Sequence, residues 1–249
     1  MKPYLSIIIS AWNEDENLDK NAMDKVFGYL KLVNFAYEVI VIDDGSDDNS
    51  PQTLDSLTKK WKQLKVFHNS HMGKAAGLVT GVSKASGRFV LFIDMDQATP
   101  ISEFDKFRPI LEQGTEIVIG SRADRKGAPF YRQVLAYGMI TLRFLILNLP
   151  YKDTQCGFKA FEKNAIDKIF KILSTIHKFK AVIGGAVNPG FDVEILYLAR
   201  KLGYKTSEVP VAWQYENSKR VRFVKDAISG VSELLLVRWR SITNAYNLH

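Results

Sequence analysis

Residues 88–100 read Arg-Phe-Val-Leu-Phe-Ile-Asp-Met-Asp-Gln-Ala-Thr-Pro. Within this stretch the apolar run 89–93 is short and rich in aromatic and β-branched residues, which predicts a buried strand. Asp94 and Asp96 follow the run directly, and carboxylates in such a place are costly unless a partner compensates them. A divalent cation is one such partner, because Mg²⁺ and Mn²⁺ take oxygen ligands and are often shared with the phosphates of a substrate. An isolated Asp-x-Asp is more often an ordinary acidic turn, so the rest of the chain decides between the two.

The first half of the chain repeats this arrangement of an apolar run followed by polar residues. Apolar runs at 4–10, 39–42, 65–68, 88–93 and 116–119 predict five strands, with helical segments between them. Such an alternation predicts an α/β fold with a mostly parallel sheet, in which ligands bind beyond the carboxyl ends of the strands. The polar groups directly after the predicted strands are Asn13 and Glu14, Asp43 and Asp44, Asp94 and Asp96, and Ser121 and Arg122. Because solvated turns have no reason to place acids repeatedly on one edge, the pattern favours a binding site.

Further segments complete the predicted order of elements. In the first half, helical patterns run from the acidic residues after Glu14 to about residue 33 and occupy 51–61 and 74–84. In the second half, we predict helices at 130–149, 191–202 and about 224–245, a strand at 205–212, and loops at 153–159 and 217–225. We find no linker, low-complexity segment or internal repeat, and therefore predict one domain over residues 1–249.

The composition indicates an anionic partner and a reducing compartment. The 249-residue chain is 46% hydrophobic and carries a formal net charge of +7, so it can bury a core and attract nucleotides, phosphates or membrane surfaces. Its only cysteine, Cys156, excludes an intrachain disulfide and a thiolate zinc cluster. No Gly-x-Gly-x-x-Gly follows the first strand, which disfavours a dinucleotide-dependent dehydrogenase, and no nucleic-acid-binding motif is recognisable. There is no secretory signal and no apolar run of about 18 residues, so we predict no transmembrane helix.

The motifs of the two halves occur in a characteristic order. Those of the first half are Ser6-Ile7-Ile8-Ile9 with Asn13-Glu14, Asp43-Asp44-Gly45-Ser46, Gly73-Lys74-Ala75-Ala76-Gly77 and Asp94-Met95-Asp96. Those of the second half are Gly120-Ser121-Arg122, Asp153-Thr154-Gln155-Cys156-Gly157-Phe158-Lys159 and Phe191-Asp192-Val193-Glu194. The first set resembles family 2 glycosyltransferases of the GT-A fold, and the second resembles their dolichyl-phosphate β-glucosyltransferase subgroup. Polyprenyl-phosphate mannose synthases share this plan.

The resemblance implies inverting transfer of a hexose, glucose in this subgroup, from a nucleotide sugar to a polyprenyl phosphate such as undecaprenyl or dolichyl phosphate. UDP-glucose is the expected donor, Mg²⁺ or Mn²⁺ the expected cofactor, and a β-linked polyprenyl-phosphate sugar the expected product. Residues 1–122 would form the nucleotide-binding half and residues 123–249 the acceptor-binding half. A family 2 transferase acting on a sugar hydroxyl in cell-wall, polysaccharide or lipid-linked glycan synthesis stays open as the alternative. A processive polysaccharide synthase is disfavoured, because Leu235 stands where its Gln-x-x-Arg-Trp motif requires Gln.

The resemblance also assigns roles to individual residues. The metal ligands are Asp94 and Asp96. The nucleotide contacts are Ala11, Asn13, Glu14, Asp43, Lys74, Asp94, Met95, Lys219 and Arg220. The acceptor contacts are Arg122, Arg132, Asp153, Gln155, Lys159 and Arg222, and the catalytic set is Asp94, Asp96, Arg122 and Asp192. Capping or turn roles stay open for Asn13, Glu14 and Asp43, and a solvated role stays open for Lys74 and for the basic residues of the loop 217–225. Ala98 stands where the mannose synthases have a Gln near the metal, so the resemblance supplies no third protein ligand.

Asp192 occupies the place where other family members have a general base. A sugar hydroxyl needs such a base to remove its proton, whereas a phosphate monoester, with a second pKa of about 6, is largely a dianion at neutral pH. A phosphate acceptor therefore needs its charge screened by a metal and basic side chains. On this hypothesis Asp192 is structural or orients the acceptor.

The apolar helical segments 130–149 and 224–245 lie next to Arg and Lys residues. This is typical of helices at the surface of an anionic bilayer. Packing on the core or on a second subunit of a homo-oligomer is the alternative. Eukaryotic members of the subgroup typically begin with a membrane helix, whereas this chain starts at the first strand. We therefore expect a prokaryotic protein that is peripheral on the cytoplasmic face of the membrane.

Overall fold

The computed structural model describes residues 2–122, 130–181, 189–214 and 223–248, without the side chains of 130–136, 189 and 223–228. The strands are β1 Leu5–Ala11, β2 Tyr37–Asp43, β3 Leu64–His68, β4 Phe89–Phe92, β5 Ile117–Ser121, β6 Lys159–Glu162 and β7 Thr206–Pro210. The helices are α1 Asp15–Asp19, α2 Ala22–Leu30, α3 Ser50–Lys60, α4 Lys74–Lys84, α5 Phe104–Glu112, α6 Phe130–Leu147, α7 Lys163–Ile176, α8 Pro189–Lys201 and α9 Phe223–Ile242.

One sheet of seven strands runs through the described part of the chain in the order β3-β2-β1-β4-β6-β5-β7. Its pairings are parallel except those of β6, which is antiparallel to both β4 and β5. Helices cover both faces of this sheet, which confirms the predicted mostly parallel α/β fold. Because six strands point the same way, their carboxyl ends meet at one edge, which we call the carboxyl edge.

The reversed direction of β6 decides what this edge contains. Lys159, the first residue of β6, pairs with Phe92 at the end of β4 and with Ile119 in β5. The loop before Lys159 therefore also lies at the carboxyl edge, although it precedes a strand. Lys159 thus belongs to a strand and not to the predicted loop 153–159, which corrects the sequence-based prediction.

Helix α4 packs unusually close to the sheet, and this places its first residue at the carboxyl edge. A Cβ at Gly77 would lie 2.4 Å from the Ser10 Oγ, and one at Gly81 would lie 2.4 Å from a methyl group of Ile8. Larger residues at these two positions would push the helix off β1. The small residues of α4 therefore fix the position of Lys74, which begins the helix.

Four parts of the fold differ from the sequence-based predictions, and one of them is helix α7 at Lys163–Ile176, where no helix was predicted. The single helix expected to reach residue 33 is two helices, because Asn21 has a φ of 59° in the left-handed region and interrupts the helical path. Helix α5 escaped prediction since it contains Pro109, which is unusual inside a helix. Strand β6 has four residues, too few for a reliable alternating pattern.

Candidate active site

Lys74 and Asp94 form an ion pair where α4 begins and β4 ends. The Lys74 Nζ lies 2.5 Å from the Asp94 Oδ1, and both side chains are partly exposed. Burial alone would lower the pKa of Lys74, but Asp94, Asp192 and Asp96 around it raise the value above its ordinary range. Burial would likewise raise the pKa of Asp94, and Lys74 together with more distant cations lowers it. Both groups are therefore charged at neutral pH.

Lys159 and Asp192 form a second pair, which joins β6 to α8. The Lys159 side chain is fully buried, and its Nζ donates hydrogen bonds to the Asp192 Oδ1 at 2.6 Å and to the Cys156 carbonyl oxygen at 2.5 Å. A buried ammonium group is costly without such partners. Lys159 therefore anchors Asp192 beside the end of the sheet. Cys156 is itself buried, and burial raises the pKa of its thiol, which agrees with a packing role.

Arg122 and Asp153 form a third pair at the end of β5. The guanidinium donates from Nε to the Asp153 Oδ2 at 2.7 Å and from Nη2 to the Oδ1 at 3.0 Å, a two-pronged contact. Burial would raise the pKa of Asp153, but the hydrogen bonds and charge of Arg122 lower it to about 2. The guanidinium also lies 5.6 Å from the centre of the Trp213 ring. Gln155 follows this pair, and its backbone N–H donates to the Asp153 Oδ1 at 3.1 Å.

The residues of the Asp94-Met95-Asp96 turn offer a divalent cation two carboxylates. Among the residues that the structure describes, no three His, Cys, Asp or Glu side chains are grouped closely enough to hold a metal by themselves. A Cβ at Gly157 would lie 2.2 Å from the Asp94 Oδ2, so the glycine is what leaves room for this carboxylate. Two carboxylates fit a cation that completes its shell with phosphate oxygens and water, as Mg²⁺ commonly does.

The loops after β1 and β2 hold each other in place. Asn13 has a φ of 53°, its Nδ2 donates to the Asp47 Oδ1 at 2.6 Å, and its backbone N–H donates to the Ser46 Oγ at 2.9 Å. The Asp43 Oδ1 accepts from the Ser46 backbone N–H at 3.1 Å, and its Oδ2 lies 2.9 Å from the His68 Nδ1. The structure thus shows the turn role that stayed open for Asn13 and Asp43, and their contacts to a nucleotide stay predictions.

Asp44 positions the start of α4. Its carboxylate accepts from the backbone N–H groups of Met72 at 3.0 Å and Gly73 at 2.7 Å. Its backbone N–H donates to the Ala11 carbonyl oxygen at 2.8 Å, which ties β1 and β2 to this helix. Asp44 therefore orients the segment that carries Lys74.

The remaining predicted residues divide into those that the structure describes and those that it does not. Glu14 takes the position before α1 without a side-chain capping bond, and its Oε2 accepts from the Asn17 Nδ2. Met95 is buried, so its contribution at the edge is its backbone. The Asp96 Oδ1 accepts from the Ala98 backbone N–H at 3.0 Å. The side chains of Arg132, Lys219, Arg220 and Arg222 lie outside the described residues.

Two aromatic residues at the edge were absent from the sequence-based prediction. Trp12 stacks on His71 with ring centroids 4.7 Å apart and an interplanar angle of 12°. The His71 Nδ1 lies 2.8 Å from the Asp44 Oδ2, so this stack joins the loop after β1 to the segment before α4. The position of Trp12 directly after the first strand was a usable signal. His71 gave no such signal, because it does not follow a strand directly but lies three residues after the end of β3 at His68.

The chain is similar to known proteins in sequence and in fold. A family model described as glycosyl transferase family 2 matches residues 6–170. The dolichyl-phosphate β-glucosyltransferase of Drosophila melanogaster is 33% identical over 241 residues, covering 88% of this chain and 70% of the relative. The human protein of that name is 30% identical over 268 residues, covering 98% of this chain and 78% of the relative. The fold is similar to a crystal structure of glucosyl-3-phosphoglycerate synthase from Mycobacterium tuberculosis in complex with Mn²⁺, UDP and glucosyl-3-phosphoglycerate. That similarity has a TM-score of 0.61 and 19% identity, covering 94% of this chain and 78% of the other.

Proposed function

Because the chain belongs to glycosyl transferase family 2, we propose that it transfers glucose from UDP-glucose to a polyprenyl phosphate and inverts the configuration to give a β-linked product. The observation that carries this proposal is the row of paired charges along the carboxyl edge: Lys74 with Asp94, Lys159 with Asp192, and Arg122 with Asp153. The relatives named dolichyl-phosphate β-glucosyltransferase support both the sugar and the acceptor. In this reading residues 1–122 bind the nucleotide and residues 123–249 bind the acceptor.

The pairing of Asp192 supports a phosphate acceptor over a sugar hydroxyl. A general base for a hydroxyl must be able to take up a proton near neutral pH. The Asp192 Oδ1 instead accepts a hydrogen bond at 2.6 Å from the buried ammonium of Lys159, so this oxygen is already engaged with a cation. A phosphate dianion has no proton to lose. Asp192 then serves to position Lys159 and the surface that receives the acceptor.

The donor half is assigned from the charges that a nucleotide diphosphate needs. Asp94 and Asp96 would hold a divalent cation, which when bound supplies positive charge to the departing diphosphate. A protein of the same fold binds Mn²⁺ and UDP in its crystal structure, which supports this cofactor and donor. Lys74 adds a cation at the N-terminus of α4, where backbone N–H groups also favour phosphate. Together these groups stabilise the leaving group while the acceptor phosphate attacks the opposite face of the sugar carbon.

Arg122 is assigned to the acceptor phosphate. Both oxygens of Asp153 accept hydrogen bonds from the Arg122 guanidinium, so the orientation of this group is fixed before any substrate arrives. A guanidinium has five N–H donors, and a two-pronged contact leaves others to bind a phosphate oxygen. Prior orientation lowers the entropy cost of binding the acceptor in a reactive position. The role of Asp153 is thus to orient the Arg122 guanidinium for the acceptor phosphate.

A panel of nucleotide sugars assayed with polyprenyl phosphate tests this function. We expect β-linked glucosyl phosphate lipid from UDP-glucose, loss of turnover in chelator, and recovery with Mn²⁺ or Mg²⁺. Lipid-linked sugars with free hydroxyls serve as the matched acceptors. Transfer to those hydroxyls without transfer to the phosphate would overturn the proposal, and full turnover in chelator would overturn the metal site.

We also propose that α6 and α9 contact the surface of an anionic bilayer on the side where the nucleotide sugar is supplied, the cytoplasmic face. No helix in the described part of the chain is both long and apolar enough to cross a membrane. The two helices nevertheless pack together and leave large apolar side chains exposed: Tyr137, Phe144 and Leu145 on α6, and Leu235, Leu236, Trp239 and Ile242 on α9. Arg238, also exposed, complements anionic lipid.

Liposome flotation separates a membrane surface from a second subunit as the partner of these helices. Wild-type protein should float with vesicles containing anionic lipid, and Trp239→Ser with Leu235→Ser should reduce the floating fraction. Leu32→Ser is the matched control, because Leu32 is 85% exposed but belongs to neither helix. Protein that stays at the bottom of the gradient and sediments as a dimer would show that α6 and α9 of one chain pack against those of a second chain instead.

A further inference from the structure

Lys74 contacts one of the two carboxylate oxygens of Asp94, a residue predicted to bind the metal. Its Nζ contacts the Asp94 Oδ1 at 2.5 Å. The other oxygen, Oδ2, is packed so closely against Gly157 that an added Cβ would lie 2.2 Å away. One oxygen is thus confined by the backbone and the other is covered by an ammonium group. A cation approaching Asp94 therefore meets the positive charge of Lys74.

We propose that Lys74 competes with the divalent cation for Asp94 and gives up this position when a nucleoside diphosphate binds, so that metal and nucleotide each promote binding of the other. This inference rests on the proposed function, because it takes the donor to be a nucleotide sugar. An ammonium group and a metal ion on the same carboxylate oxygen repel each other, so each weakens the binding of the other. The metal therefore binds at full strength only after Lys74 has found another anion.

The position of Lys74 provides that other anion. The residue begins α4, an eleven-residue helix whose N-terminus favours phosphate. Its backbone is held by the Asp44 contacts to Gly73, whereas its side chain is partly exposed and has a flexible four-carbon stem. A small rotation of the side chain can thus move the ammonium from Asp94 to a bound diphosphate without moving the helix. Binding energies linked in this way are reciprocal, so the nucleotide strengthens metal binding as much as the metal strengthens nucleotide binding.

Binding of Mn²⁺ to metal-stripped protein tests the competition directly and needs no turnover. We expect Lys74→Met to bind Mn²⁺ alone roughly fivefold more tightly than wild type, the factor that corresponds to loss of a partly exposed ion pair. Lys74→Arg keeps the charge and should resemble wild type. Lys84→Met removes a positive charge from the other end of the same helix, where it lies over the Phe67 ring, and should leave Mn²⁺ affinity unchanged.

Repeating the titrations with saturating UDP distinguishes direct competition from a general effect of charge. After correction for the Mn²⁺–UDP complex in solution, UDP should tighten Mn²⁺ binding much more in wild type than in Lys74→Met. The inference is overturned if the folded Lys74→Met variant binds Mn²⁺ alone no more tightly than wild type. It is also overturned if UDP tightens binding equally in both proteins. Turnover of wild-type protein in the acceptor panel reports separately on the proposed function, which stands or falls independently of these affinities.

Discussion

Replacing Asp192 by Asn changes one charge in the pair that joins β6 to α8. The Lys159 ammonium is fully buried and keeps its bond to the Cys156 carbonyl oxygen, and the Asn side-chain oxygen can still accept from it. The variant therefore loses the ionic part of one hydrogen bond. Hydrogen bonds to charged groups contribute about 1.5–3 kcal/mol and neutral ones about 0.5–1.5 kcal/mol. Because the Asp192 side chain is 26% exposed, we expect a loss of about 1–2 kcal/mol in the free energy of unfolding.

We expect Asp192→Asn to lower kcat much less than the removal of a general base would. A phosphate acceptor needs no proton removed, so kcat should stay within about tenfold of wild type, whereas removal of a general base costs about 10²–10⁴-fold. Urea unfolding measures the stability, and transfer to polyprenyl phosphate well below the unfolding temperature measures kcat. The loss of stability corresponds to a lowering of Tm by about 2–8 °C in a chain of this size.

Asp167→Asn is the control for this substitution. Asp167 forms an exposed pair with Lys163 within α7, and such pairs contribute less than about 1 kcal/mol. Its replacement should change neither Tm nor kcat appreciably. A thousandfold fall in kcat for Asp192→Asn in protein that unfolds at its expected temperature would refute the reasoning and make Asp192 the base.

Three further substitutions test other parts of the edge and the sheet. Gly157→Ala would place a Cβ 2.2 Å from the Asp94 Oδ2, and turnover should fall about 100-fold because the displaced carboxylate misplaces the reacting groups. Arg122→Lys keeps the charge but loses the two-pronged contact with Asp153, so kcat/KM should fall by about 10- to 100-fold. Adding Asp153→Asn to this variant should cause little further loss of kcat/KM. Burial would raise the pKa of Glu38, but hydrogen bonds from a lysine and two serines lower it from 4.5 to about 2. A lowered pKa adds stability that is present above pH 4.5 and lost as the pH falls towards 2. Glu38→Gln should therefore cost about 3 kcal/mol at pH 7, and its unfolding curve should approach that of wild type in acid.

A control variant or a contradicting result tests each of these three substitutions. Gly28→Ala in α2 meets nothing within 4 Å and should raise stability by about 0.5–1 kcal/mol with unchanged turnover; a fully active Gly157→Ala would contradict the packing at Asp94. Losses that add in the double variant would show that Arg122 and Asp153 act separately. Equal stability of Glu38→Gln and wild type at pH 7 would contradict the buried network at that residue.

The sequence was sufficient to predict where the polar groups gather, because strand ends can be located from local patterns. It was not sufficient to predict which charges pair. Arg122 and Asp153 were both assigned to the acceptor, yet they bind each other across 31 positions of sequence. Lys159 and Asp192 were assigned different roles, yet they form one pair across 33 positions. Both pairs depend on β6 turning back between β4 and β5, and a four-residue strand gives too weak a local signal to reveal that reversal.

The late insertion of β6 between β4 and β5 also has a consequence for biosynthesis. As the chain leaves the ribosome, β1 to β5 emerge first, but β4 and β5 are not neighbours in the sheet and have no ladder to share until β6 arrives between them. Until then β4, whose four residues are all apolar and buried in the finished protein, presents an unpaired edge of the kind that aggregates. Residues 1–122 expressed alone should therefore be prone to aggregation, and their sheet becomes continuous only when a segment of the following half completes it.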